Sequence, residues 1–212
     1  MLIAIDGPAA SGKGTLAKNL AHHYSLFHLD SGAVFRCIAK YIVDHPDRVL
    51  DDPKERSTLK ENITASSLSN PDLRTEAIAQ KASEISQIPH IRTLFEDLCH
   101  QLIEENKTPH GSVIDGRDAG TVLFPNADIK FYLIVDPEER ARRRYLELQM
   151  TDQIITYEDI YHSIITRDLR DMKRQESPLK PATDAHILDL TSETPEDVFN
   201  MAVSLINAKN LD

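Results

Sequence analysis

The segment Gly7-Pro8-Ala9-Ala10-Ser11-Gly12-Lys13-Gly14-Thr15 has residue types and spacing suited to holding a phosphate. Two glycines frame four small or rigid residues, and a lysine follows the second. Small residues let consecutive backbone N–H groups curl around an anion. A helix opening there adds the positive end of its dipole, and Lys13 adds a mobile full charge for β- and γ-phosphate oxygens. The context agrees: Leu2 to Asp6 is an apolar run that reads as a buried strand. Thr15 to Tyr24 reads as a helix with Leu16, Ala17 and Leu20 on one face. Gly14 follows the lysine, and the hydroxyl comes one place later at Thr15. This spacing favours a Mg²⁺ held mainly through phosphates and water, with help from Thr15 and Asp115, over direct ligation by the loop.

Chemistry on a second phosphate needs further positive charge, and arginine supplies it as a planar fork matched to paired oxygens. The candidates are Arg36, Arg92, Arg117, Arg140, Arg142, Arg143, Arg144, Arg167, Arg170 and Arg174. Arg140, Arg142 and Arg170 can equally pair along their own helices with Glu138, Glu139 and Asp168. Arg117 stands apart. It lies in Asp115-Gly116-Arg117-Asp118, directly after a predicted strand, at the end that faces the ligand crevice in open parallel sheets.

These groups need a scaffold, and the chain reads as alternating strands and helices. Strands are predicted at Leu26–Leu29, Ser112–Asp115, Ile129–Val135 and His186–Leu190, besides the first. Helices are predicted after Asp30 through Ile42, over 74–106 with a break near Pro89, at 138–149, at 157–173 and at Pro195–Ala208. That order indicates an α/β fold with a parallel sheet. Residues 44–74 are polar, carry Pro46, Pro53 and Pro71, and lack alternation, so helices and loop without a sheet are expected there. The 212 residues suffice for one domain with a sizeable core. Apolar residues make up 41% and charged residues 27%, with a formal net charge of −10, which gives no global signature of nucleic-acid binding. Cys37 and Cys99 have no metal-like spacing and read as reduced thiols. Asp6 interrupts the first apolar run after five residues, and no stretch reaches a membrane span. A cytoplasmic monomer acting on small molecules, without nucleic acid or membrane, is therefore expected.

The stretches IDGPAASGKGTLAK, HLDSGAVFR, LRTEAIAQKASEI with PHIR, IDGRDAGTVLFPNADIKFYL, EERARRRYLELQ and ITRDLRDMKRQESPLKPATDAHILD resemble bacterial cytidylate kinases nearly end to end. The resemblance implies a P-loop kinase core, with a parallel five-stranded sheet flanked by helices. To this it adds an inserted, mostly helical NMP-binding region and a helical lid. The core would be about 1–36 and 110–212, the insertion about 37–109 and the lid about 140–170, in a single domain over 1–212. It implies ATP with Mg²⁺ as phosphoryl donor and CMP or dCMP as acceptor. Gly7 to Thr15 would bind ATP, with Arg143 and Arg144 closing over its phosphates. Ser31, Arg36, Arg117 and Arg174 would lie at the acceptor phosphate. Ser83, Arg92 and Asp118 would read cytosine, and Arg167 and Asp171 would reach the ribose. Lys13, Arg117, Arg143 and Arg174 would act in catalysis.

The chain departs from that pattern in three places. Phe35 stands where Tyr is common, Ala119 replaces a larger apolar residue, and residues 63–74 are too short and polar for the small antiparallel sheet usual in the insert. A kinase for UMP or a small metabolite is the nearest alternative. A P-loop switch protein is another, but no guanine-reading Asn-Lys-x-Asp segment is found.

Overall fold

The apolar run Leu2–Asp6 forms β1, the middle strand of a five-stranded sheet in a computed structural model that describes residues 1–48, 50–149 and 155–209. The other strands are β2 (Phe27–Asp30), β3 (Ser112–Gly116), β4 (Ile129–Ile134) and β5 (His186–Asp189). Their order is β2-β3-β1-β4-β5, and every pairing is parallel. Parallel strands covered on both faces read as unbroken apolar runs, which is why β1 and β4 were so visible.

The helices are α1 (Lys13–Tyr24), α2 (Ser31–Asp44), α3 (Pro53–Asn62), α4 (Glu76–Ile85), α5 (Pro89–Asn106), α6 (Pro137–Gln149), α7 (Tyr157–Lys173) and α8 (Pro195–Lys209). On one face of the sheet Ile3, Ile5, Phe131 and Leu133 pack against Leu16 and Leu20 of α1 and Val198 and Ile206 of α8. On the other, Ala4, Leu29 and Ile114 meet Val34 and Ile38 of α2 and Leu98 and Leu102 of α5. Each of the larger of these side chains contributes about 1.5–3 kcal/mol by full burial, so the strand ends are held firmly. Cover thins toward the β5 edge, where Ile134 and Ile187 are exposed.

The region between α2 and β3 is helical. Asp52 accepts a hydrogen bond from Lys54 N to start α3, Thr75 caps α4, and Pro89 opens α5. Proline suits a first helical position because its fixed φ fits and its missing N–H has no partner to lose. Residues 67–69 and 71–74 form short 3₁₀ turns, and no strand occurs among the described residues of 44–74. Leu59, Ile63 and Ile78 join the α2–α5 core, and Leu73 is buried as well. The apolar contact between α6 and α7 is made by Ala141, Ile160 and Ile164. Positions 150–154 of the expected lid, 49 of the expected insertion, and 210–212 lie outside the described residues.

The chain leaves β1 toward β2 on one side of the sheet and later crosses from β3 to β4 on the other. Such a reversal opens a crevice at the carboxyl ends of the strands, where ligands bind in open α/β sheets.

Candidate active site

The loop after β1 turns on Ala10 and Gly12, both at positive φ (56° and 86°). The left-handed backbone at Gly12 ends the loop, so α1 begins at Lys13, two residues earlier than its apolar periodicity indicates. Lys13 Nζ donates to Pro8 O at 3.1 Å. Burial, reinforced by the Arg117 guanidinium, pulls the Lys13 ammonium down to about 7, although Asp115 and Asp30 oppose this. The loop is clamped from outside. Buried Arg140 donates to Ala9 O and to Val135 O at 3.1 Å each and pairs with Asp168 at 2.5 Å. Asp168 in turn accepts from Ala9 N at 3.3 Å.

A cleft of about 700 Å³ adjoins this loop. Ala10, Gly12 and Thr15 line it on one side, Arg142, Arg143 and Arg144 on another, and Leu190, Thr191 and Val198 close it. Arg143 donates to Glu139 at 2.7 Å and to Leu190 O at 2.9 Å, while Arg144 pairs with Glu147 at 2.8 Å. Arg142 holds Glu139 with two nitrogens. The hydrogen bonds from Arg142, then Arg143, draw the Glu139 carboxyl down to about 2.

A second positive cluster lies near Lys13. Arg117 donates to Asp171 at 2.9 Å, and Arg36 to Asp30 at 2.6 Å. Arg167 has a buried Nε without a hydrogen-bond partner among the described residues. Burial, and then Arg117 and Arg36, lower the Arg167 guanidinium to about 10. Arg117 and Arg167 also depress Lys13. Cations close enough to destabilise one another, one of them only partly offset by Asp171, form a surface that an anion relieves. Ser31 borders this cluster and donates to Asp115 O at 2.8 Å. Its hydroxyl would lie 2.6 Å from a Cβ at position 116, so any larger residue there would have to displace the Ser31 hydroxyl.

Arg92 and Asp118 form a buried ion pair on the other side of Gly116, with Arg174 Nη2 3.7 Å from Asp118. The Arg92 guanidinium lies over both Phe35 and Phe95, 5.6 Å from each ring centroid. The two rings stack at 3.8 Å. Ser83 accepts a hydrogen bond from Arg170 at 2.9 Å.

The chain's likeness to known proteins agrees with this architecture. The family model described as cytidylate kinase matches residues 3–208. The chain belongs to the cytidylate kinase family. A cytidylate kinase of Bartonella tribocorum is 42% identical over 206 residues, covering 97% of this chain and 94% of the relative. One of Bradyrhizobium diazoefficiens is 39% identical over 208 residues, covering 98% and 96%. Among solved structures, a Thermus thermophilus protein superposes with a TM-score of 0.53 at 15% identity, covering 99% of this chain and 97% of that one. At that identity the likeness concerns the fold alone.

Within the cytidylate kinase pattern, the structure gathers Lys13, Arg36, Arg117 and Arg167 around one end of the sheet. It brings Arg92, Asp118 and Arg174 together beside them. Arg92 and Asp118, expected to read the cytosine together, are paired with each other. Arg143 and Arg144 line the cleft but turn their guanidinium groups to Glu139 and Glu147. Arg142 pairs along its own helix, as its spacing allowed, whereas Arg140 and Arg170 reach partners on other elements.

Sequence reasoning missed Asp6, His28 and Asp168 as site residues, and it offered Arg140 as a phosphate ligand whereas the structure has it clamping the loop at Ala9. Asp6 accepts from the backbone N–H groups of Ala119 and Gly120 at 2.8 Å each, fixing the turn that carries Arg117 and Asp118. Burial pushes its carboxyl up to about 7 against those two hydrogen bonds. A carboxylate closing an otherwise apolar strand was the available signal for Asp6, and a histidine inside a short strand the one for His28.

Proposed function

We propose that this chain transfers the γ-phosphoryl group of ATP to CMP or dCMP, as an enzyme of pyrimidine nucleotide metabolism. The observation that carries this reading is the glycine-rich loop after β1 with Lys13 at its end, together with the guanidinium groups of Arg117 and Arg167 nearby and the buried Arg92–Asp118 pair. Two phosphates meeting there would be neutralised from both sides, as in-line transfer requires. The donor occupies the cleft of Gly7–Thr15 and α6. The acceptor phosphate lies against Ser31, Arg36, Arg117 and Arg174, its base against Arg92, Asp118 and Ser83, and its ribose near Arg167 and Asp171. The division into core, insertion at 37–109 and lid at 140–170 is part of the same reading.

The residues present suit a magnesium ion that enters with ATP. Among the described residues no group of three His, Cys, Asp or Glu side chains is placed to cage a metal. A Cβ at Gly14 would lie 3.8 Å from Asp115 Oδ2, so this carboxylate faces the start of α1 beside Thr15. Magnesium keeps several waters and takes one or two carboxylates plus substrate phosphates, and Asp115 and Thr15 would hold it so. When bound, the ion spreads charge over the donor phosphates. Lys13, near 7 without a phosphate, gains its full charge beside one. The acceptor is already an oxyanion, so no general base is needed. Two unbridged cysteines suit a reducing cytoplasm.

A coupled assay of ATP with CMP, dCMP, UMP and AMP in turn tests the reading. CMP or dCMP should give the highest kcat/KM, and a clear preference for UMP or AMP would overturn the acceptor assignment.

A further inference from the structure

The P-loop, the arginines and the base pocket leave one polar contact of the site unused: His28 against Asp115. His28 sits in β2, the outer strand beside β3, with His28 paired to Val113 and Asp30 to Asp115 in the parallel register. Its Nε2 lies 2.7 Å from Asp115 Oδ1, with the two side chains 17% and 6% exposed. An ionised carboxylate only accepts, so the shared hydrogen is on Nε2 of the imidazole. This bond occupies Oδ1. The second oxygen, Oδ2, is the one that faces Gly14, where a Cβ would lie 3.8 Å away. A carboxylate with neither oxygen held could rotate about its last bond and turn toward Lys13, whose charge it already stabilises.

We propose that His28 is a positioning residue for the donor side. By holding Oδ1 it fixes Oδ2 of Asp115 toward the start of α1, where magnesium and its waters accompany the ATP phosphates. The residue pattern marks His28 only as an imidazole in a four-residue strand, which is as easily a packing residue. The contact to Asp115 distinguishes the two roles. Partners of metal-facing carboxylates matter because they set which oxygen is presented and at what angle. The inference rests on the donor-site reading above, and its test separates the two.

Three variants are informative: His28→Gln, whose amide nitrogen reaches the place of Nε2, His28→Asn, whose amide stops short of it, and His28→Leu, which fills the space without a donor. ATP affinity is measured by calorimetry with Mg²⁺ and with EDTA, alongside the Mg²⁺ concentration giving half-maximal rate and the melting temperature. The leucine and asparagine variants should lose on the order of tenfold of the affinity that Mg²⁺ adds, with ATP binding in EDTA unchanged, while glutamine stays within about twofold of the parent. Equal loss in Gln, Asn and Leu would mean a packing role and overturn the proposal, as would a folded leucine variant with an unaltered Mg²⁺ effect. If leucine does not fold, the contrast between Gln and Asn decides. Asp115→Asn supplies the separation. If it removes the Mg²⁺ effect while His28→Leu does not, only the positioning role fails. If it too leaves the effect intact, the assignment of Asp115 to the donor side fails with it.

Discussion

Binding of ATP should draw a proton from solvent, and Lys13 should be where it goes. Burial and the nearby Arg117 hold the Lys13 ammonium near 7 in the protein by itself. An adjacent triphosphate favours the charged form and returns the group toward its ordinary range. The uptake then equals the fraction of Lys13 deprotonated beforehand: about half a proton at pH 7 and about nine-tenths at pH 8. The sign follows directly, since the bound state holds more protons and affinity must fall as pH rises. Between pH 7 and pH 9 the dissociation constant should increase by roughly 50-fold, provided the bound lysine stays charged at the upper end. The assay is titration calorimetry with ATP in buffers of different ionisation enthalpy, whose slope gives the protons transferred. Lys13→Arg is the control, because guanidinium stays protonated throughout and its uptake should vanish. Asp6 also lies near 7, but it contacts the Ala119–Gly120 turn and should behave alike in both proteins. Uptake near zero at pH 8, or equal uptake in the arginine variant, would refute the reasoning.

Three further outcomes are expected. Arg36→Ala and Arg174→Ala should raise KM for CMP more than for ATP, while Arg143→Ala should lower kcat with less effect on KM for CMP, read from initial rates with each substrate varied. CMP should exceed UMP in kcat/KM by at least about tenfold, since a polar pair that accepts from N4 and donates to N3 or O2 of cytosine meets the reversed pattern in uracil. Asp118→Ala should shrink that ratio, and an unchanged ratio in a folded variant would leave Asp118 a purely structural partner of Arg92. Phe95→Ala should destabilise the fold by about 3–5 kcal/mol in urea titrations, because Phe95 is fully buried, stacks on Phe35 and supports Arg92.

The alternating elements were legible because each carried a local signal. Pro89 marks the break between α4 and α5 by opening the second helix, and the polar, proline-bearing stretch before it forms helices and turns. Boundaries slipped where backbone geometry, invisible to hydropathy, decided them, as at Gly12. The charged residues of the site were legible as types, but their partners were not. Arg92 meets Asp118 across 26 positions and Arg117 meets Asp171 across 54, and only the sheet order brings them together. The π-turn at Ala119–Leu123 had no periodic signal either, because its first N–H groups are satisfied by Asp6 from another strand.

The pairing of Arg36 with Asp30, Arg92 with Asp118 and Arg117 with Asp171 changes what a substrate must do on arrival. In the proposed arrangement an acceptor phosphate would compete with Asp30 and Asp171 for Arg36 and Arg117, and the base would compete for the Arg92–Asp118 pair, so binding there would be in part an exchange of partners. Stray inorganic anions, too small to make contacts elsewhere, gain little from such an exchange. A nucleotide gains more, because its sugar and base make up what the exchange leaves out. The same exchange runs backwards when product leaves: the internal carboxylates reclaim their arginines, and the diphosphate is not held by charge alone.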